Sequence, residues 1–78
     1  MTMIITTHCY VITRRKGDAI DLHETHRRLE HARKELARLR DEYKAAGSRT
    51  MLTQSGCCLR AQKGESVIYY EITKMELK

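Results

Sequence analysis

Seventy-eight residues, 41% of them apolar, suffice for one small globular domain and exclude a second independent core. Fifteen Lys and Arg against ten Asp and Glu leave a formal charge of +5, a mild excess that favours phosphates or acidic protein patches as partners. Phe and Trp are absent and Tyr numbers four, so the core rests on Ile, Leu, Val, Met and small side chains. A core of this size leaves about 3–5 kcal/mol of net stability, so support from a partner, most simply a second copy of the chain, is expected.

Residues 3–13 are dense in β-branched and aromatic types and predict a strand. The N-terminal segment, Met1 to Thr7, has too few apolar residues for the core of a signal peptide, and no run approaches the roughly 20 needed to span a membrane. Arg14-Arg15-Lys16-Gly17-Asp18 supplies a charged turn, and Ala19-Ile20 reads equally well as a brief second strand or as loop.

From Asp21 a helical period sets in, with Asp21 and Glu24 at the spacing of a capping pair and Gly47 as the stop. Leu22, Leu29, Ala32, Leu36, Leu39, Tyr43 and Ala46 form one apolar stripe over about 26 residues, broken at Thr25. Glu24 with Arg28, Glu30 with Lys34 and Arg38 with Glu42 are opposite charges one turn apart. The heptad spacing from Leu22 to Tyr43 also suits a coiled coil, but the small residues between favour packing on a sheet.

Residues 50–61 alternate as a strand with Gly56 as a bulge, Gln62-Lys63-Gly64-Glu65 is a hairpin turn, and residues 66–76 return as the clearest strand. The expected architecture is a single α+β domain over residues 1–78. In it one long amphipathic helix packs on a three- or four-stranded, mainly antiparallel sheet, β(β)αββ. One helix leaves the other sheet face open, with Ile4, Tyr10, Ile12, Val67 and Tyr69 partly uncovered according to register.

Cys9, Cys57 and Cys58 are odd in number and lie in apolar stretches, which argues against a disulfide framework and for a reducing, cytoplasmic setting. His8, His23, His26 and His31 lack ligand-like spacing with one another or with the cysteines. They read as solvated side chains at the start of a charged helix, with no metal site and no cofactor. No nucleophile stands in a recognisable context, so no enzyme is expected. Arg14, Arg15 and Lys16, with Arg49, Arg60 and Lys63, form a candidate basic edge, and Tyr10 or Tyr69 would be stacking partners on the open face. The competing reading is that charges on edge strands only discourage aggregation.

In architecture, a strand, one amphipathic helix and a C-terminal hairpin without cofactor motif resemble many small phage and prophage accessory proteins, including anti-CRISPR inhibitors. The resemblance covers the whole chain, carries no diagnostic motif and transfers no residue. It implies a stoichiometric binder that blocks a larger host protein or nucleoprotein complex. The alternatives are a direct nucleic-acid-binding module or small regulator, separable by a salt-dependent gel shift, and a structural homodimer or adaptor, visible as doubled mass.

Overall fold

The computed structural model describes residues 7–77. Its elements are β1 (Thr7–Lys16), β2 (Ala19–His26), α1 (Leu29–Ala45), β3 (Arg49–Leu52), β4 (Cys58–Lys63) and β5 (Ser66–Leu77). The strands form one five-stranded sheet in the order β2-β1-β5-β4-β3, with every neighbouring pair antiparallel. The α+β class with one helix agrees with expectation; the strand count of three or four does not.

The difference arises in two places: the optional short strand at Ala19-Ile20 extends to His26 at the expense of the predicted helix, and the single strand predicted over residues 50–61 is divided into two. The two-residue turns Gly17-Asp18 and Gly64-Glu65 each open on a glycine of positive φ, the backbone that matches the twist of the strands they join. The first turn commits the following residues to a hairpin, and β2 pairs with β1 from Lys16↔Ala19 out to Tyr10↔His26. The predicted helix therefore loses its first two turns. It starts at Leu29 after Arg28, which provides no side-chain cap, and spans 17 residues. The capping pair Asp21 and Glu24 and the helical pair Glu24–Arg28 do not exist, because Asp21 and Glu24 belong to a strand. Similarly, residues 50–61 are two strands: Gly56 sits in the turn between β3 and β4, where its amide donates to the Thr53 carbonyl at 2.9 Å. Residues 3–6 of the first predicted strand, Ile4 among them, lie outside the described residues.

The helix buries the predicted stripe from Ala32 through Leu36 to Leu39 against Ile12, Leu59 and Tyr70, with Tyr10, Tyr43, Leu52, Ile68 and Ile72 packed around them. Ile12, Leu36 and Leu59 are fully buried. Ile12 and Tyr10 thus lie on the helix side and not on the open face that the residue pattern predicts for them. Ile12 pairs with Ile72, and directly opposed residues share a face, so β1 turns these two side chains toward the helix. The Tyr43 and Tyr70 hydroxyls meet at 2.8 Å beneath the helix.

The helix ends as the glycine signal predicts. Ser48 N–H donates to the Tyr43 carbonyl at 3.0 Å and Gly47 N–H to the Lys44 carbonyl at 3.1 Å, a Schellman closure with Gly47 at φ +91°. A Cβ on Gly47 would meet nothing within 4 Å, so replacing it tests backbone conformation alone. Gly47→Ala is expected to lower stability by about 1 kcal/mol, read as a reduced urea midpoint with unchanged slope.

Candidate functional site: the open sheet face

Among the described residues, alternation leaves one sheet face without a covering layer. It carries Ile20 and Leu22 from β2, Val11, Thr13 and Arg15 from β1, Val67, Tyr69, Glu71 and Met75 from β5, Cys58 and Arg60 from β4, and Arg49 and Met51 from β3. The five exposed large hydrophobic residues of the described chain, Ile20, Leu22, Met51, Tyr69 and Met75, all lie here. A face this apolar is unusual for a surface left to water.

One row crosses all five strands. Ile20 pairs with Arg15, Arg15 with Tyr69, Tyr69 with Arg60 and Arg60 with Met51. The Arg15 guanidinium stands over the Tyr69 ring, 5.3 Å from its centroid. From the other side Arg60 Nε donates to the Tyr69 hydroxyl over a long 3.4 Å, while its Nη2 donates to Gln62 Oε1 at 2.7 Å. A half-exposed ring is thereby held between two cations and flanked at both ends of the row by exposed aliphatic side chains. Among the described residues the face carries three arginines, Arg15, Arg49 and Arg60, against the single acid Glu71.

Because β5 lies beside β1, the turn at Gly64-Glu65 does sit beside the turn at Lys16-Gly17. Arg15, Lys16, Glu65, Ser66, Val67 and Tyr69 line an open groove of about 630 Å³ between them. Of the residues singled out in the sequence, Arg15, Arg49, Arg60 and Tyr69 share the open face, and Lys16 closes the groove at its end. The others point elsewhere. Arg14 pairs with Tyr70 on the helix side, Tyr10 packs on the core, and Lys63 Nζ donates to the Ala46 carbonyl at 3.0 Å, closing the helix C-terminus. Burial, with Glu71 and Cys57 adding to it, pushes the Cys58 thiol up, which keeps it protonated and a poor nucleophile.

A second group of polar side chains, missed in the sequence, lies between β2 and α1. The β-bulge between Ile12 and Thr13 leaves His23 as an extra residue opposite them, so His23 and Glu24 both face the helix although adjacent in a strand. His23 Nε2 is 2.8 Å from Glu35 Oε2 and 3.4 Å from Glu24 Oε2. Arg38 Nε and Nη2 donate to the two oxygens of Glu35 at 2.5 and 3.0 Å, and Nη1 donates to Glu42 at 2.6 Å. The Arg38 guanidinium above all, with Glu24 and His23, holds the Glu35 carboxyl well below the usual carboxylate range against the opposing effect of burial. His26 Nε2 lies 3.7 Å from Glu24 Oε2, and both atoms are buried without a hydrogen-bond partner. Such atoms cost about 1–3 kcal/mol each when nothing else engages them.

These features define an α+β protein whose antiparallel sheet is covered by one helix on one side and bears an arginine–tyrosine row on the other. No protein-family model, curated protein or solved structure matches the chain. No helix of the described residues is long and apolar enough to cross a membrane.

Proposed function

We propose that the chain is a non-enzymatic binding protein whose open sheet face docks on an acidic, partly apolar surface of a larger complex. The row Ile20, Arg15, Tyr69, Arg60, Met51 carries this reading. Aromatic, Met and Arg side chains are the types that the centres of protein interfaces concentrate, and here they form one continuous patch instead of being scattered. Its surplus of arginines selects an acidic partner and speeds encounter with it. Together with the resemblance to phage accessory proteins of the anti-CRISPR type, the patch favours a stoichiometric inhibitor of a host nucleoprotein complex, acting in the cytoplasm of the host.

One observation favours a second reading, direct binding of single-stranded nucleic acid. A tyrosine ring between two guanidinium groups is a stacking platform with phosphate-binding charge on either side. Against it, the exposed Ile20, Leu22, Met51 and Met75 have no counterpart on a phosphate backbone. A homodimer through two open faces would oppose arginines to arginines, so self-association would have to use the edge strands β2 or β3.

The test is the double reversal Arg15→Glu/Arg60→Glu, compared with Lys34→Glu on the exposed side of the helix. Capture from the native host is expected to recover a partner with the parent and with Lys34→Glu, and to lose it by more than about tenfold with the double variant at unchanged thermal stability. Equal recovery with all three overturns the assignment of the face. Retardation of a single-stranded oligonucleotide at low salt that fades at high salt would give the face to nucleic acid.

A further inference from the structure

We propose that His23, Glu24, His26 and Glu35 bind one Zn²⁺ ion that clamps the edge strand β2 to helix α1. Three arguments lead there, none of them dependent on the open face.

The first is convergence. His23 Nε2, Glu24 Oε2 and Glu35 Oε2 all lie within 4.8 Å of one another. The separations along the group are 2.8, 3.4 and 3.7 Å, with His26 at the far end. Ligand atoms on a tetrahedral zinc with bonds of 2.0–2.1 Å are about 3.3 Å apart, so His23, Glu24 and Glu35 are already gathered for one ion. His26, outside this group of three and next to Glu24, completes the set only by turning its side chain inward. Two imidazoles and two carboxylates are ligands that suit zinc.

The second is that the local backbone is irregular where the ligands need it to be. In a regular strand His23 and Glu24 would point to opposite faces. The bulge brings His23 round to join Glu24 and His26 toward the helix, where Glu35 is among the least exposed of the charged side chains. The same site explains the two buried atoms that engage nothing else, Glu24 Oε2 and His26 Nε2, since a cation between them takes a lone pair from each.

The third is charge. Glu24, Glu35 and Glu42 supply three negative charges around the group, and Arg38, forked between Glu35 and Glu42, supplies one positive. A divalent ion balances the remainder. Arg38 is then the outer partner that orients a ligating carboxylate, a common arrangement around protein-bound metals. The clamp would also fix the border of the binding face, because β2 carries Ile20 and Leu22.

The experiment uses the full chain stripped with a chelator and dialysed. Calorimetric titration with ZnCl₂ is expected to show one ion per chain, and saturating zinc to raise the melting temperature by at least about 5 °C. Co²⁺ should give visible bands of a four-coordinate nitrogen–oxygen site without the near-ultraviolet band of thiolate ligation. His26→Ala should weaken binding by more than about tenfold while leaving the metal-free fold intact, since His26 Nε2 holds no hydrogen bond to lose. His23→Ala should abolish binding, and His31→Ala, on the exposed helix surface, should leave it unchanged. The proposal is overturned by absence of saturable binding, by a cobalt–thiolate band, or by full affinity in both His23→Ala and His26→Ala, the last two moving the ion elsewhere.

Discussion

Leu36→Ala is expected to unfold a large fraction of the protein at room temperature, whereas Leu22→Ala is expected to leave stability within about 0.5 kcal/mol of the parent. The two leucines belong to the same heptad progression and are indistinguishable by spacing. Leu36 is completely buried at the centre of the helix–sheet contact, among Ile12, Leu59 and Tyr70. Truncating a leucine there removes its transfer free energy and leaves a cavity, a loss of about 2–5 kcal/mol. That loss is comparable with the whole net stability of about 3–5 kcal/mol available to a chain of this size. Leu22 is 66% exposed on the open face, so its truncation takes little apolar area out of a buried setting. Urea titration followed by circular dichroism measures both. Equal destabilisation would mean that Leu22 is part of the helical stripe after all, and that β2 is wrongly placed.

A second large effect is expected at high pH. Tyr70 is 3% exposed, and burial, reinforced by the neighbouring Tyr43 phenol and opposed by Arg14, pushes its pKa up to about 12. The neutral phenol is the form the folded state accepts, while the unfolded chain ionises near pH 10. The stabilising contribution is therefore complete below pH 10 and is lost as pH rises to about 12, over which the native state holds the proton that the unfolded state releases. The lost contribution amounts to about 2–3 kcal/mol for this residue. Denaturation midpoints measured at pH 8, 10 and 11.5 should fall steeply for the parent. Tyr70→Phe should start lower by about 1 kcal/mol, having lost the bond to Tyr43, and then fall less steeply. Parallel decline in both proteins would assign the alkaline sensitivity to other groups.

What the amino-acid pattern disclosed follows the strength of each local signal. From Leu29 to Tyr43 the apolar period is unambiguous, and Gly47 ends the helix where a positive φ is needed, so both were legible. Leu22 is ambiguous by spacing because the strand alternation through Ile20 and Leu22 also continues a seven-residue helical spacing. A glycine-initiated two-residue turn decided the matter through pairing with β1, a non-local term that spacing does not contain. The site divides in the same way. Tyr69, Arg15 and Arg60 lie at alternating positions of clear strands, yet the row they form needs the strand order. Arg14, Arg15 and Lys16 look like one patch in the sequence, but a period of two sends Arg15 to one side of the sheet and Arg14 to the other. By spacing alone His23 and His26 read as solvated residues at a helix start. Only the bulge, which depends on the register between β1 and β2, puts both on the helix side, His23 beside Glu35 and His26 beside Glu24.

The central strand of the sheet is β5, and it follows every other strand in the sequence. The β1–β2 hairpin and the β3–β4 pair have no ladder connecting them until β5 lies between, with Thr7 opposite Leu77 at one end and Lys16 opposite Ile68 at the other. The two half-sheets are thus joined only through β5. Pairing across the whole sheet needs residues 66–77 in place, and any folding species in which they are still undocked exposes the apolar flanks of both halves.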